Sequence, residues 1–311
     1  MPGIAIRTEI LTRDFATVRA VDGLTLEVEA GTVFGFLGPN GSGKTTTIRM
    51  LLGLLEPTSG RAEVLGLDTR TQSDQIRARS GALLENPGIY ERFSAEDNLE
   101  FYARIWRLDP AIRRERIRSL LDHLGLWERR KDIVGGWSRG MRQKLAVARA
   151  LIHRPELIFL DEPTAGLDPV AAAALRTDLE SLAVGGGATV FLTTHNLAEA
   201  EKFCRRVAVI REGKLVAVGH PDELRSQRGG PKAEITGRGF SDAVLTAVRS
   251  LPAVASAELR NGRLSLSLAV DADLSSIVTL LVTMGAQVEE VHKGKASLED
   301  VFLKLMEEET A

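Results

Sequence analysis

Short apolar runs alternate with helix-like spacing through the first two thirds of the chain. Apolar residues fill positions 33–37, and residues 45–55 then repeat apolar side chains at the three- and four-residue spacing of a helix. Such alternation of buried strands with helices predicts an α/β fold with a mainly parallel sheet. Further strands are predicted at 157–160, 189–193 and 207–210, with a helix at 197–203.

A long helical stretch interrupts this alternation after a strand predicted near 82–84. Ser94 followed by Asp97 has the form of a helix-start capping box. We therefore predict a helical insertion, covering about 86–155, within the α/β core. Its helices are expected at 94–107, 112–124 and 141–153.

The pattern changes again near residue 222. Prolines and a Gly-Gly pair are typical of a linker, which we place at 223–231, between a first domain at 1–222 and an accessory domain at 232–311. Asn261-Gly262 between two alternating segments is a hairpin signal. The order βαββαβ predicts a small α+β domain of the ferredoxin-like type. Its strands are expected at 232–236, 255–260, 263–269 and 287–292, and helices at 242–250, 275–284 and 298–308.

Composition excludes several classes of protein. The chain has 311 residues with 40 basic and 42 acidic side chains, a formal net charge of -2, so no nucleic-acid partner is expected. No apolar run approaches the about 20 residues that span a bilayer, and the N-terminus has no secretory apolar core. The single cysteine, Cys204, fits a reducing cytoplasm and is expected to be a small buried side chain.

A glycine-rich turn between the first buried strand and its helix matches the phosphate-binding pattern G-x-x-x-x-G-K-[ST] at every fixed position. Glycines let backbone N–H groups point at phosphate oxygens, and the following helix adds its positive dipole end. Lys44 is expected to contact the β- and γ-phosphates and Thr45 to offer its hydroxyl to Mg²⁺. The predicted nucleotide-binding loop comprises Gly38, Pro39, Asn40, Gly41, Ser42, Gly43, Lys44, Thr45 and Thr46.

A second apolar strand supplies the carboxylates that such a loop requires. Asp161 and Glu162 directly follow the apolar run 157–160. Asp161 is expected to hold Mg²⁺ through water, and Glu162 can polarise an attacking water as a general base. The pair therefore predicts hydrolysis as well as binding.

These motifs, in this order, resemble those of the ATP-binding subunits of ABC transporters over residues 4–220. Residues 137–141 resemble the signature motif LSGGQ and 165–168 the D-loop. The resemblance implies a P-loop NTPase core with a helical insertion, which binds ATP and Mg²⁺. It also implies a homodimer of two such domains, paired head to tail around two ATP molecules, and a separate transmembrane permease subunit. The signature residues that would reach the partner's ATP are Ser138, Arg139, Gly140 and Met141.

Three further positions take their expected roles from this resemblance. His195 stands at the switch histidine, which contacts the γ-phosphate and helps to place the water. Phe15 stands where an aromatic ring stacks on adenine, although a core aromatic would fit there too. Asp168 is implied to link the two ATP sites and also suits a cap for the helix that starts at Pro169.

Two departures from the family pattern indicate a subgroup. Glu85 replaces the Q-loop glutamine, adding a carboxylate that is a candidate Mg²⁺ ligand and a negative charge near the γ-phosphate. Arg139 replaces the first glycine of the signature. Glutamate variants and basic signatures resemble those of lantibiotic-, bacitracin- and drug-type exporters. A degenerate, inactive site is the alternative, which Glu162 and His195 argue against.

An aromatic-rich segment follows Glu85. The resemblance implies that this region receives a coupling helix of the membrane subunit, and large rings suit such a groove. Tyr90 and Phe93 are expected to dock, whereas Phe101 and Trp106 are expected to belong to the core. Four arginines within 113–118 are expected on a solvated helix face, with lipid headgroups as a minor alternative. The aromatic residues are Tyr90, Phe93, Phe101, Tyr102 and Trp106.

The resulting prediction is an exporter ATPase subunit at the cytoplasmic face of the membrane, bound peripherally through its membrane partner. The alternative is a soluble, non-transport ABC ATPase. The single P-loop and the absence of sustained heptads disfavour that alternative. A P-loop kinase or GTPase is disfavoured because the signature, D-loop and switch histidine occur in order.

Overall fold

The computed structural model describes residues 3–181, 187–226, 231–260, 262–269, 272–295 and 297–302. The chain divides into two compact units, Met1–Val218 and Gly219–Ala311. Within the described ranges, no helix combines the length and apolar character needed to cross a membrane.

The elements of the first unit alternate between strands and helices, with a run of helices in the middle. Its strands are β1 (Ile4–Phe15), β2 (Val18–Glu29), β3 (Val33–Leu37), β4 (Ser59–Val64), β5 (Leu67–Asp68), β6 (Ser80–Leu83), β7 (Leu157–Asp161), β8 (Thr189–Thr194), β9 (Arg206–Arg211) and β10 (Lys214–Gly219). Its α-helices are α1 (Lys44–Leu51), α2 (Ser73–Arg79), α3 (Ala95–Ile105), α4 (Pro110–His123), α5 (Arg139–Leu151), α6 (Pro169–Leu179) and α7 (Leu197–Phe203). Two 3-10 helices cover Trp127–Arg129 and Val134–Gly136.

A six-stranded sheet in the order β10-β9-β3-β8-β7-β6 carries the predicted buried strands. The pairs from β9 to β6 are all parallel. Every residue of β3, β7 and β8 is buried, as expected for parallel strands covered on both faces. Phe34, Phe36 and Phe159 surround Phe191 with ring centroids 5.4 to 5.7 Å away. Burying one such ring contributes roughly 1.5–3 kcal/mol.

A second, antiparallel sheet in the order β2-β1-β4-β5 is not predicted by the alternation described above. Its signal lies in β2, where Leu24, Leu26 and Val28 are buried at every second position, the period of a strand with one face in the core. This sheet bears on the site because the carbonyl oxygen of Ala20, in β2, lies against the glycine-rich turn.

The predicted helical insertion contains α3, α4 and α5. Ser94 is the N-cap of α3, and its hydroxyl accepts the backbone N–H of Asp97 at 3.0 Å, as the capping pattern predicts. α5 begins at Arg139, two residues before its predicted start, because Ser138 caps it.

The second unit has the βαββαβ order and strand arrangement of a ferredoxin-like domain. Its antiparallel sheet has the order β12-β13-β11-β14. Buried Ile235, Leu264 and Leu266 of this sheet pack with Ile277 and Leu281. Its elements are α8 (Pro221–Leu224), β11 (Pro231–Arg238), α9 (Asp242–Arg249), β12 (Val254–Arg260), β13 (Arg263–Leu268), α10 (Leu274–Thr283) and β14 (Gln287–Lys295).

Parts of the predicted linker and of the predicted last helix lie within the described residues. Leu224, inside the predicted linker, ends the short helix α8 and is buried. Residues 298–302 are helical. The predicted turn residue Asn261, residues 227–230 of the linker and residues 303–308 of the last helix lie outside the described residues.

Candidate functional site

The strand β3 brings the glycine-rich turn to the carboxyl edge of the parallel sheet, and α1 begins directly after it at Lys44. Two glycines in this turn are required by close contacts. A Cβ on Gly38 would lie 2.3 Å from the carbonyl oxygen of Ile210, and one on Gly43 would lie 2.3 Å from that of Ala20. Gly43 also has a φ of 104°, in the left-handed region that favours glycine.

The ammonium group of Lys44 folds back onto its own loop. Its Nζ donates to the carbonyl oxygens of Gly38 at 2.8 Å and Pro39 at 3.1 Å, and the residue is only 6% exposed. In the same loop the hydroxyl of Ser42 is buried and has no hydrogen-bond partner among the described residues. A cation and a free hydroxyl in a curled loop suit an anionic phosphate.

The loop opens onto a cavity of about 600 Å³. Ala20, Arg49 and Gln143 line it and have no role predicted from the sequence. Arg49 is detectable in the sequence because it lies four residues after Thr45 and hence on the same face of α1. The lining comprises Ala20, Asn40, Gly41, Gly43, Lys44, Thr45, Thr46, Arg49, Leu84, Glu85, Pro87, Arg139, Gln143, Asp161, Glu162 and Ala165.

Asp161 is held between two threonine hydroxyls at this edge of the sheet. Thr45 Oγ1 donates to Oδ2 at 2.6 Å, and the Thr193 hydroxyl donates to Oδ1. The parallel register of β7 and β8 places Asp161 opposite Thr193. Hydroxyl and carboxylate oxygens are hard donors, which suit Mg²⁺.

Glu162 follows β7 with a φ of 49°, a conformation that costs roughly 1–3 kcal/mol in a non-glycine residue. Its N–H donates to the hydroxyl and carbonyl oxygens of Thr193, each at 3.1 Å. Its Oε2 lies 2.8 Å from His195 Nδ1. Its Oε1 lies 3.5 Å from Lys44 Nζ and has no hydrogen-bond partner among the described residues. The carboxylate is therefore placed between an imidazole and the ammonium of the glycine-rich loop.

Glu85 forms an ion pair across the cavity lining. Its Oε2 lies 3.2 Å from Arg49 Nη2. Both side chains are substantially exposed, at 69% and 46%, and pairs of this kind contribute about 0–1 kcal/mol to stability. The pair changes the charge of the cavity lining very little, because the positive charge of Arg49 offsets the negative charge of the carboxylate that replaces a neutral amide.

The signature-like segment lies at the start of α5. The hydroxyl of Ser138 accepts the N–H of Met141 at 3.3 Å, and Gly140 lies in the first turn. Of the segment 137–141, whose residues are all described, only Arg139 lines the cavity. Its guanidinium packs on Gly166, since a Cβ there would lie 2.3 Å from Arg139 Nη1. Ser138, Gly140 and Met141 thus stand apart from the loop of their own chain.

Asp168 and Phe15 also lie outside this cavity lining. Asp168 caps α6, with Oδ1 accepting the N–H groups of Val170 at 3.0 Å and Ala171 at 2.9 Å. Phe15 ends β1, is 41% exposed, and has the guanidinium of Arg13 4.6 Å from its ring centroid. A purely buried role for Phe15 is therefore wrong.

The aromatic segment forms an exposed cluster, which we call the aromatic surface and define as Tyr90, Phe93 and Phe101. The Tyr90 ring lies 5.3 Å from Phe93 and 5.0 Å from Phe101, and the three residues are 45%, 40% and 37% exposed. The expected core position of Phe101 is wrong, because its face of α3 is not covered. The expected core position of Trp106 is also wrong, because the residue is only half-buried; its ring stacks on that of His153 with centroids 4.0 Å apart.

Two arginines of α4 form an ion pair or a hydrogen bond within the protein and are not solvated on all sides. Arg113 lies 3.0 Å from Glu100, and Arg116 donates to the carbonyl oxygen of Leu151 at 2.9 Å. Burial lowers the pKa of the Arg116 guanidinium below its ordinary value. The expectation of a solvated arginine face is therefore wrong for these two residues.

Two known families match the chain. Residues 21–165 match the family described as ABC transporter. Residues 219–306 match the C-terminal domain of the family described as ATP-binding protein DrrA1-3-like.

Two transport and resistance proteins are similar over most of the chain. Identity is 37% over 307 residues with the daunorubicin resistance ATP-binding protein DrrA3 of Streptomyces coeruleorubidus, covering 98% of this chain and 96% of that protein. Identity is 41% over 222 residues with the bacitracin transport ATP-binding protein BcrA of Bacillus licheniformis, covering 71% and 72% respectively. Among solved structures, cbiO1 from Clostridium perfringens, described as part of the ABC transporter complex cbiONQ, is similar with a TM-score of 0.67 and 25% identity, covering 80% of this chain and 96% of that chain.

Proposed function

Since the chain belongs to the ATP-binding proteins of ABC transporters, we propose that it hydrolyses ATP in the cavity described above to drive export. The observation that carries this proposal is the position of Glu162 between Lys44 and His195. A carboxylate at this place can take the proton of the water that attacks the γ-phosphate.

ATP binding requires Lys44 to turn from its own loop to the nucleotide. Phosphate oxygens then replace the carbonyl oxygens of Gly38 and Pro39 as acceptors for its ammonium group. The start of α1 adds its N–H groups to the phosphate contacts. Arg13 stacks on the ring of Phe15, and the exposed part of that ring is proposed to stack on adenine.

Mg²⁺ is proposed to bind with the nucleotide, held by Thr45, Asp161 and Glu85. When bound, the ion neutralises charge on the β- and γ-phosphate oxygens. The hydroxyl of Thr45 would offer an oxygen lone pair to the ion while its O–H still donates to Asp161. Arg49 keeps the added charge of Glu85 compensated near the phosphates.

Hydrolysis is proposed to proceed by in-line attack of one water on the γ-phosphorus. The new bond joins the water oxygen to phosphorus, and the bond between phosphorus and the β–γ bridging oxygen breaks. Glu162 Oε1, which no described group engages by a hydrogen bond, takes the water's proton. His195 holds the same carboxylate through Oε2 and contacts the γ-phosphate. ADP and phosphate are the products.

A homodimer is proposed to complete each ATP site. Ser138 and Gly140 stand outside the cavity of their own chain, at the N-terminal end of α5. A helix N-terminus binds phosphate through its N–H groups, and Arg139 adds positive charge there with Met141 in the same turn. In a head-to-tail pair these groups would contact ATP held by the other copy, and Asp168 would link the two sites.

A separate transmembrane permease is the proposed membrane partner, with the aromatic surface as its docking site. The chain would then act at the cytoplasmic face of the membrane. Relatives named for daunorubicin resistance and bacitracin transport support drug or antibiotic efflux. We propose residues 1–222 as the ATP-binding domain, 223–231 as a linker and 232–311 as an accessory domain.

The proposed nucleotide site is tested by replacing its lysine. Lys44→Ala in the purified full chain should abolish binding of a fluorescent ATP analogue, because the ammonium contributes the mobile charge for the phosphates. Lys214→Ala is the matched control, since Lys214 is an exposed lysine paired at 3.7 Å with Asp22. Unchanged analogue binding by Lys44→Ala would contradict the proposal.

A further inference from the structure

Glu199, on α7, bonds both to the turn that follows the proposed catalytic carboxylate and to the helix α6. Its Oε2 accepts a hydrogen bond from the hydroxyl of Thr164 at 2.8 Å, and its Oε1 accepts one from Arg176 Nη1. The side chain of Glu199 is only 14% exposed. With an ion pair on one oxygen and a hydroxyl on the other, the carboxylate is held in one orientation.

Hydrogen bonds hold the turn that carries Glu162 at three successive residues. Glu162 itself donates its backbone N–H to β8. The carbonyl oxygen of Pro163 accepts from Gln143 Nε2 at 2.7 Å, and Thr164 donates to Glu199. A strained backbone such as that of Glu162 persists only where its surroundings over-determine it. These three attachments supply that constraint.

His195 and Glu199 lie at the same end of α7. Asn196 caps this helix, with Oδ1 accepting the N–H of Glu199 at 3.2 Å. His195 Nδ1 lies 2.8 Å from Glu162 Oε2. A closed ring of contacts therefore runs from Glu162 through His195 and α7 to Glu199, and back through Thr164 to the turn.

We propose that Glu199 is a positioning residue for hydrolysis, acting through Thr164. It fixes the turn so that the Glu162 carboxylate stays bonded to His195 and directed at the attacking water. This inference rests on the proposed roles of Glu162 and His195. Glu199 is not part of the lining of the nucleotide cavity, so we expect its effect on the rate of the chemical step and not on ATP affinity.

The hydroxyl of Thr164 gives the cleanest test, because its removal leaves the part-buried ion pair of Glu199 and Arg176 intact. Thr164→Val in the full chain should lower kcat for ATP about tenfold or more, since small misplacements of catalytic groups have large effects on rate. The ATP affinity should stay within twofold of wild type. The thermal midpoint should stay within a few degrees of wild type. Thr164→Ser, which keeps the hydroxyl, should restore most of the rate.

Two control variants separate this inference from the function on which it rests. Thr177→Val removes a threonine hydroxyl from the exposed side of α6, where it bonds to the carbonyl oxygen of Ala173, and should leave kcat unchanged. Glu162→Gln should eliminate hydrolysis. If Glu162→Gln is inactive while Thr164→Val keeps a wild-type kcat, or if Thr164→Ser loses as much rate as Thr164→Val, the positioning role is wrong. If Glu162→Gln still hydrolyses ATP, the proposed catalytic function fails instead.

Discussion

Arg49 Nη2 lies 3.2 Å from Glu85 Oε2 at the lining of the nucleotide cavity. The two residues come from α1 and from the segment after β6, 36 positions apart in sequence. Arg49 supplies a positive charge beside the carboxylate that replaces a neutral amide. The added negative charge near the proposed phosphate site therefore has a nearby counter-ion.

Replacing Glu85 should change the dependence of ATP hydrolysis on Mg²⁺ concentration more than it changes ATP binding. Glu85→Gln should keep ATP binding but shift the Mg²⁺ concentration needed for half-maximal ATPase rate upwards, because a carboxylate binds the hard cation better than an amide does. The measurement is the ATPase rate of the full chain over a Mg²⁺ titration at fixed ATP. Transport and ATPase rates that match wild type at every Mg²⁺ concentration would refute this role.

Arg49→Met removes the positive charge of the pair and leaves the Glu85 carboxylate in place. Without the guanidinium, the Glu85 carboxylate is uncompensated near the phosphates, so ATP affinity should fall by a few-fold, which corresponds to the about 1 kcal/mol of an exposed charge interaction. In the Glu85→Gln background the same change should have less effect, since no carboxylate remains to compensate. Arg104→Met, which breaks the exposed pair with Glu100, is the control and should bind ATP normally.

The aromatic surface predicts a specific loss of coupling. Replacing Tyr90, Phe93 and Phe101 together with alanine should weaken association with the membrane subunit, since truncating a hot-spot aromatic costs about 2 kcal/mol or more. Transport should be lost while ATP binding by the isolated chain is unchanged. Val282→Ala, at an exposed apolar residue of the second unit, is the control. Intact transport by the triple variant would exclude this surface as the docking site.

The proposed composite site is tested by mixing two inactive chains. Ser138→Ala and Lys44→Ala should each abolish most hydrolysis alone. In a mixed dimer, Lys44 of one chain and Ser138 of the other would form one intact site, so mixing the variants should restore ATPase activity. Ser138→Ala also removes the cap of α5, at about 1 kcal/mol, so its thermal midpoint is measured in parallel. No recovery on mixing two folded chains would contradict completion of the site by a partner.

The elements of the site that the sequence predicts are those set by local pattern. The glycine-rich turn, its strand and its helix are contiguous, and Asp161 and Glu162 directly follow a wholly apolar run. Glycine at positions 38 and 43 is explained by contacts with Ile210 and Ala20, which the motif implies without naming. Such features need no knowledge of distant parts of the chain.

Contacts between segments that are distant in the chain cannot be predicted from one sequence. The pairing of Arg49 with Glu85 depends on how the segment after β6 approaches α1, and no periodicity encodes that approach. Phe101 shows a related difficulty. Helical spacing identifies the face of α3 on which it lies, but whether another element covers that face depends on tertiary packing. The antiparallel sheet of β1 and β2 is not predicted although β2 alternates, because β1 does not alternate and its pairing with β2 is interrupted by register shifts.

Cys204 predicts an alkaline loss of stability. Burial raises the pKa of its thiol to about 12, from an ordinary value of 9.0. Between these pH values the unfolded chain loses the proton and the folded chain keeps it. The free energy of unfolding should therefore fall as pH rises above 9, by about 1.4 kcal/mol at pH 10, and the contribution is fully present below pH 9.

Urea unfolding at pH 8 and pH 10 measures this effect, with Cys204→Ala as the reference. The wild type should lose more stability than the variant over this interval, because alanine does not titrate. Equal losses in the two chains would show that the thiol is not protected by burial.

The most direct test of the account is the hydrolysis of ATP by Glu162→Gln in the full chain. Glutamine keeps the size and a hydrogen-bonding oxygen near His195 but cannot take a proton from water. We predict that the variant binds the fluorescent ATP analogue as tightly as wild type and that kcat falls about a hundredfold or more. A variant that binds ATP and hydrolyses it at the wild-type rate would contradict the assignment of Glu162 as the general base.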